Sequence, residues 1–102
     1  MTPTNMITLN KLAPWILKII ERRFRLNKNT SKKAFSLKIS AAWRKLDELS
    51  DLPIDNIDGH QEYKKRAVDI IVITVAFLQH YGCRDIEGEI KKIIKMSSEK
   101  LE

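Results

Sequence analysis

The acidic residue best placed to do chemistry is Asp69, because its surroundings in the sequence are almost wholly apolar. Within residues 67–78, every residue except Asp69 and Thr74 is apolar. A carboxylate buried in such a segment costs several kcal/mol unless a cation, hydrogen-bond donors or a metal ion compensates it. Arg66 lies three residues earlier, a spacing that permits an ion pair within one helix. Asp69 is therefore either half of a structural pair with Arg66 or a ligand of a divalent cation.

A second acidic group, which a metal site would need, lies in residues 47–51. Asp47 and Asp51 are one helical turn apart, and Glu48 points further round the helix. A hard cation such as Mg²⁺ binds through carboxylates together with water and substrate phosphates. A packed antiparallel helix would bring this group opposite Asp69. The alternative is that these residues form a solvated helix end.

Basic side chains are concentrated in the first half of the chain. Residues 1–52 carry eleven Lys and Arg against four Asp and Glu, whereas residues 53–102 carry eight against nine. Such a distribution attracts phosphate in nucleotides, nucleic acid or anionic lipid, although it also suits a solvated face. Trp15 and Trp43 are candidate base-stacking platforms, although tryptophan at a helix boundary is more often core or interface. The candidate phosphate-binding residues surround a polar turn at residues 27–31: Arg22, Arg23, Arg25, Lys28, Lys32 and Lys33.

The composition of the chain sets limits on its class. A length of 102 residues fits a single helical domain over residues 1–102, and a hydrophobic content of 43% predicts a globule. Only three Gly and three Pro argue against a turn-rich β architecture. No secretory signal is recognisable, and no apolar run reaches the roughly 20 residues of a membrane helix, so we expect no membrane partner. The single cysteine, Cys83, cannot form an internal disulfide, which favours a cytoplasmic location.

The spacing of apolar residues predicts four helices, at about residues 8–26, 31–49, 60–81 and 86–100. The third helix is apolar on all sides, so we expect it to lie at the centre of an all-α bundle. Because it is rich in β-branched residues, a strand over residues 70–75 is the competing interpretation. We favour a helix because no second segment could pair with such a strand. Covering this helix within one short chain is difficult, which favours a homodimer.

With these helices in place, the chain resembles the MazG-like nucleoside triphosphate pyrophosphohydrolases over about residues 8–100. Residues 65–72, Lys-Arg-Ala-Val-Asp-Ile-Ile-Val, are similar to the family's E-L-A-D-V-L stretch. Residues 81–87, Tyr-Gly-Cys-Arg-Asp-Ile-Glu, are similar to its L-G-I-D-L-E turn, and a Lys-rich last helix follows. The resemblance implies an all-α fold and Mg²⁺-dependent hydrolysis of an NTP or dNTP to its monophosphate and pyrophosphate.

The resemblance also implies a set of metal ligands. The family binds Mg²⁺ through E-E-x-x-E on one helix and E-x-x-D on the next, and Asp69 matches the last ligand. Arg66 stands where the preceding glutamate should be, and its charge would oppose cation binding, so it would contact substrate phosphate instead. The first motif can be placed on residues 47–51, with Glu48 and Asp51 as ligands beside Asp47. It can also be placed on residues 39–43, where no ligand survives.

Two functions therefore follow from the sequence. The first expectation is a MazG-like nucleotide pyrophosphohydrolase, or a nucleotide-binding relative, that uses Mg²⁺ as cofactor if it is active. The alternative is a catalytically degenerate basic helical module that binds nucleic acid or a protein partner through the first half of the chain. A purely structural interaction domain is the third hypothesis.

Overall fold

The computed structural model describes residues 7–51 and 57–101, and every regular element in these ranges is an α-helix. The all-α class and the four predicted helices are thereby confirmed for the described residues. The alternative strand over residues 70–75 is wrong, because this segment lies inside the third helix. No helix in the described ranges is both long and apolar enough to span a bilayer. The helices are α1 Leu9–Phe24, α2 Lys32–Leu49, α3 Ile57–His80 and α4 Ile86–Leu101.

Local capping explains where the helices begin and end. Thr8 and Ser31 precede α1 and α2, and each side-chain oxygen accepts a hydrogen bond from the backbone N–H three residues later. The chain leaves α1 through Arg25 and leaves α3 through Gly82, which adopt left-handed φ angles of 56° and 83°. Arg25 carries the side chain in this pair, so its conformation is the more strained of the two.

The main core joins α3 to α1 and α2. Its buried residues are Ile20, Phe35, Ile73 and Ala76, of which Phe35 and Ala76 are fully inaccessible to solvent. Phe35, near the start of α2, lies 5.7 Å from Phe77 between ring centroids, near the end of α3. The later part of α2 lies beside the middle of α3, so the two helices run antiparallel. Helix α3 is therefore central, as its apolar sequence predicts.

A smaller core and a polar clasp hold α4 against α1. Ala13, Val75 and Ile86 are buried together where α1, α3 and α4 meet. Next to them, the Asn10 amide nitrogen donates to Asp85 Oδ1 at 2.9 Å, and its oxygen accepts from the Glu87 N–H at 3.1 Å. Glu87 Oε2 in turn accepts from the Asn10 backbone N–H at 3.0 Å. We call Asn10, Asp85 and Glu87 the Asn10 clasp.

Several large apolar side chains remain exposed. Trp15 and Trp43 are 73% and 60% exposed, so neither is a core residue, and a place in an interface or a base-stacking role stays a prediction for both. The helices bury their opposite faces instead, and each indole projects outward. A groove between α3 and α4 is also almost wholly apolar, and Glu89 is the only charged residue among the described residues that line it. We call this surface the α3–α4 groove.

Candidate phosphate-binding cleft

Asp69 lies in the middle of α3 and faces the end of α1. Its side chain is 19% exposed, and its Oδ1 lies 3.4 Å from Nη1 of Arg23, whose side chain is 47% exposed. A cation therefore pairs with Asp69, but it comes from another helix instead of from Arg66, and the carboxylate is partly buried rather than buried. Because solvent reaches both groups, this ion pair contributes about 0–1 kcal/mol to folding.

The expected pair between Arg66 and Asp69 is wrong. Arg66 Nε lies 2.8 Å from Oε1 of Glu62, one turn earlier on the same helix. Four residues bring two side chains to within about 40° around a helix, whereas three separate them by about 60°. Glu62 is therefore the better aligned partner, and Arg23 reaches Asp69 from outside the helix.

Asp69 lies on the wall of a cleft between α1, α2 and α3 with a volume of about 230 Å³. Four cationic side chains and one carboxylate line it. The apolar part of the wall consists of one aromatic, one aliphatic and two small residues from the same three helices. The charged lining residues are Arg23, Lys38, Lys45, Arg66 and Asp69, and the apolar ones are Phe24, Ala41, Ala42 and Ile73.

Two of the cations are held at the edge of the cleft by the ring of Phe24. The Arg23 guanidinium carbon lies 5.1 Å from the ring centroid, and Lys38 Nζ lies 5.0 Å from it. Both distances are within the range of cation–π attraction. Lys38 and Lys45 are seven residues apart on α2, which places them on one face. The fold therefore converges positive charge from three helices on one small volume.

This arrangement suits a phosphate group. Arginine presents a planar fork of donors to phosphate oxygens, and lysine supplies a compact point charge. The cleft volume of about 230 Å³ is below the roughly 300 Å³ at which pockets begin to enclose a whole small molecule. The cleft can therefore hold phosphate groups while a sugar and base lie outside it.

The donor set near Asp69 does not fit a magnesium ion. Asp47, Glu48 and Asp51 are exposed and do not line the cleft, so they do not meet Asp69 there. Across residues 7–51 and 57–101, no group of three His, Cys, Asp or Glu side chains could hold a metal ion. Among the described residues, Asp69 is the single carboxylate of the cleft lining, and a cation already pairs with it. Mg²⁺ needs more oxygen ligands than this set supplies.

The structure separates the basic residues that the sequence grouped together. Arg23 enters the cleft, whereas Arg22, Arg25 and Lys28 line an open depression on the exposed side of α1. Lys32 Nζ lies 5.6 Å from the centroid of the Tyr81 ring, and Lys33 is exposed at the start of α2. The predicted cluster is therefore not a single site.

Lys38 and Lys45 are cleft residues that the sequence reasoning missed. Their seven-residue separation, with Ala41 and Ala42 between them, is a signal that was present in the sequence. Two lysines on either side of small residues mark a helix face that is charged at its ends and open at its centre. A search along α2 for basic residues seven positions apart would have identified this face.

Comparison of the chain with models of protein families, with curated proteins and with solved structures found no match. The likeness to MazG-like enzymes therefore stays a prediction from the residues that carry it.

Proposed function

We propose that this protein is a catalytically degenerate MazG-like relative that binds the phosphate groups of a nucleotide in the cleft beside Asp69. The observation that carries the proposal is the set of four cationic side chains around that carboxylate. A Mg²⁺-dependent pyrophosphohydrolase would need carboxylates where these cations lie. The cations can contact phosphate oxygens directly, without a bridging metal ion, and Lys38 and Lys45 take part in none of the ion pairs found among the described residues.

The placement of the first family motif on residues 39–43 supports the same proposal. Ala41 and Ala42 line the cleft together with Asp69, whereas residues 47–51 are outside the lining. On this placement the glutamate positions of the family fall on Ile39, Ser40 and Trp43, which supply no carboxylate. The α2 residues that line the cleft beside Ala41 and Ala42 are Lys38 and Lys45, so α2 presents positive charge to Asp69.

Nucleotide binding in the presence and absence of Mg²⁺ tests this function. We expect ATP to bind in EDTA, and the double variant Lys38→Gln with Lys45→Gln to bind at least tenfold more weakly at low salt. This magnitude follows from about 1 kcal/mol for each close charge pair in a water-like dielectric. Isothermal titration calorimetry measures the affinity, and a panel of NTPs and dNTPs tests base preference.

A matched variant controls for non-specific charge effects. Lys33 and Arg44 are exposed residues of α2 outside the cleft lining, so their double glutamine variant removes the same charge elsewhere. Equal weakening by both double variants would argue against a defined site. Mg²⁺-dependent pyrophosphate release that Asp69→Ala abolishes would instead establish the hydrolase, which is the competing prediction.

We also propose that the chain forms a homodimer through the α3–α4 groove. Ile71 and Ile93 are 59% and 64% exposed, and the groove has a volume of about 520 Å³. Contiguous exposed apolar surface of this kind is a feature of interfaces. A twofold axis would place the groove against its own copy, which would cover the outer face of α3. This surface is separate from the cleft, so dimer formation leaves the cationic residues accessible.

A further inference from the structure

A second basic surface lies on the exposed side of α1, outside the Asp69 cleft. Trp15, Lys18 and Arg22 follow one another at spacings of three and four residues, so they share one face of the helix. Arg25, at which the chain leaves α1, and Lys28 in the turn after it line the same depression as Lys18 and Arg22. We call these five residues the α1 strip. Its helical part extends for about 10 Å between Trp15 and Arg22, at 1.5 Å per residue.

The α1 strip is a continuous groove. A depression of about 330 Å³ is lined by Trp15, Lys18, Ile19 and Arg22. A second depression of about 680 Å³ is lined at its basic side by Lys18, Arg22, Arg25 and Lys28. Because Lys18 and Arg22 line both, the two depressions adjoin and a linear ligand can pass from one to the other.

The charged groups of the α1 strip are available to a ligand. The ion pairs found among the described residues involve Arg23, Arg66 and Lys92, and none involves a cation of the strip. In the part of the chain that the structure describes, Glu21 is the one carboxylate that lines the two depressions, and it is partly buried. The groove therefore has a strong positive charge along its whole length.

We propose that the α1 strip binds single-stranded nucleic acid, with its four cations on successive phosphates and the Trp15 indole stacked on a base. The two components occur together in sequence-tolerant binding of single strands, in which a basic groove follows the backbone and aromatic rings receive bases. Trp15 is 73% exposed, so its ring can accept a base without rearrangement of the core. A duplex keeps its bases stacked inside, so it would not use the indole.

Other occupants fit the α1 strip less well. In a twofold dimer the strip would face its own copy, and the like charges would repel. An anionic membrane surface requires an apolar face along the length of the helix. The continuous apolar face of α1 packs in the core, and the exposed apolar residues of this helix, Leu12, Trp15 and Ile19, all lie in its first eleven residues. The basic end of α1 after Ile19 offers such a surface no exposed apolar anchor.

Binding of a fluorescein-labelled single-stranded 12-mer, measured by anisotropy from 20 to 300 mM salt, tests the proposal with the full chain. Four phosphate contacts predict a slope of about −2.8 for the logarithm of affinity against that of salt. Trp15→Ala should weaken binding by about 5- to 160-fold, the range for the loss of one stacked base. The double variant Arg22→Gln with Arg25→Gln should reduce the slope by about 1.4.

Two controls locate the binding. Trp43→Ala removes an exposed indole of α2 and should leave affinity unchanged, as should Lys33→Gln with Arg44→Gln, which removes two exposed charges of α2 outside the α1 strip. In a Trp43→Phe background, the remaining emission comes from Trp15 and should be quenched when the oligonucleotide binds. Because Trp15 is largely exposed, its variants should keep the circular dichroism and melting temperature of the parent chain.

Several results would overturn the proposal. These are absence of oligonucleotide binding at 20 mM salt, unchanged affinity in the Trp15 variant, and duplex binding equal to single-strand binding. Binding to vesicles with 30% phosphatidylserine, without oligonucleotide binding, would identify a lipid surface instead. Loss of oligonucleotide binding in the cleft variant Lys38→Gln with Lys45→Gln alone would place the site beside Asp69. The ATP titrations are independent of these measurements, so either proposal can fail without the other.

Discussion

Replacing Asp69 by asparagine has opposite consequences for a metal site and for a phosphate cleft. In a metal site, the change removes a ligand and weakens nucleotide binding. In the cationic cleft, the carboxylate repels the bound phosphate and pairs with Arg23, so its loss should strengthen binding. A carboxylate about 5 Å from a phosphate charge repels it by about 0.8 kcal/mol in a water-like dielectric, which corresponds to roughly fourfold in affinity. Release of Arg23 acts in the same direction.

Isothermal titration of ATP in EDTA measures this change directly. Glu48→Gln is the matched control, because it removes the same charge from an exposed site on α2 outside the cleft lining. We expect the control to bind ATP like the parent chain. Both variants should fold normally, since the solvent-accessible pair of Arg23 and Asp69 contributes no more than about 1 kcal/mol to the free energy of unfolding.

Weaker ATP binding by the Asp69→Asn variant would refute the reasoning, because a repulsive carboxylate cannot contribute favourably to phosphate affinity. The refutation would be complete if Mg²⁺ strengthened binding to the parent chain and Glu48→Gln removed that effect. Such a result would place both carboxylates on one metal ion, as the first placement of the family motif requires.

Three further predictions concern assembly, the core and the Asn10 clasp. Ile71→Glu should convert the dimer to a monomer in multi-angle light scattering, because it buries a charge in the α3–α4 groove; an unchanged dimer mass would exclude this interface. Phe35→Ala should lower the free energy of unfolding by about 3–5 kcal/mol in urea denaturation, since the ring is fully buried. The Asn10 amide and the Gly88 N–H hold the pKa of Asp85 below its ordinary value of 3.8. The ionised Asp85 carboxylate therefore stabilises the fold above pH 3.8, and this stabilisation is lost as pH falls through the lowered pKa. The melting temperatures of the parent chain and of Asp85→Asn should therefore converge in acid.

More of the fold than of the candidate site could be predicted from the sequence. The apolar stripes of α1 and α2 define helices by spacing alone, and α3 is helical despite its β-branched residues because no other segment could pair with a strand. The partner of Asp69 could not be predicted in this way, since Arg23 is 46 residues away and local spacing points to Arg66. The spacing of residues within one helix does not show which other helix packs beside a given carboxylate. The cleft is formed by three helices that pack together, so it could not be predicted from that spacing.

Tryptophan exposure shows the same limit. Trp15 and Trp43 lie among apolar residues in the sequence, so composition favours burial. Their exposure follows from the angle at which each helix packs, because that angle decides which side chains of a broad apolar face enter the core. Small residues such as Ala13 take the buried position on α1, and the bulkier indole is left outside.

Helix α4 depends on the rest of the molecule mainly through its first turn. Ile86 is buried and Glu87 belongs to the Asn10 clasp, whereas residues 89–99 are all exposed. The amides of this exposed half can open by local fraying, without unfolding of the main core. In hydrogen–deuterium exchange, deuterium uptake along α4 should therefore slow when a second copy covers the helix. The exchange would then show which turns of α4 are covered, and the core amides of α3 would serve as a constant internal reference.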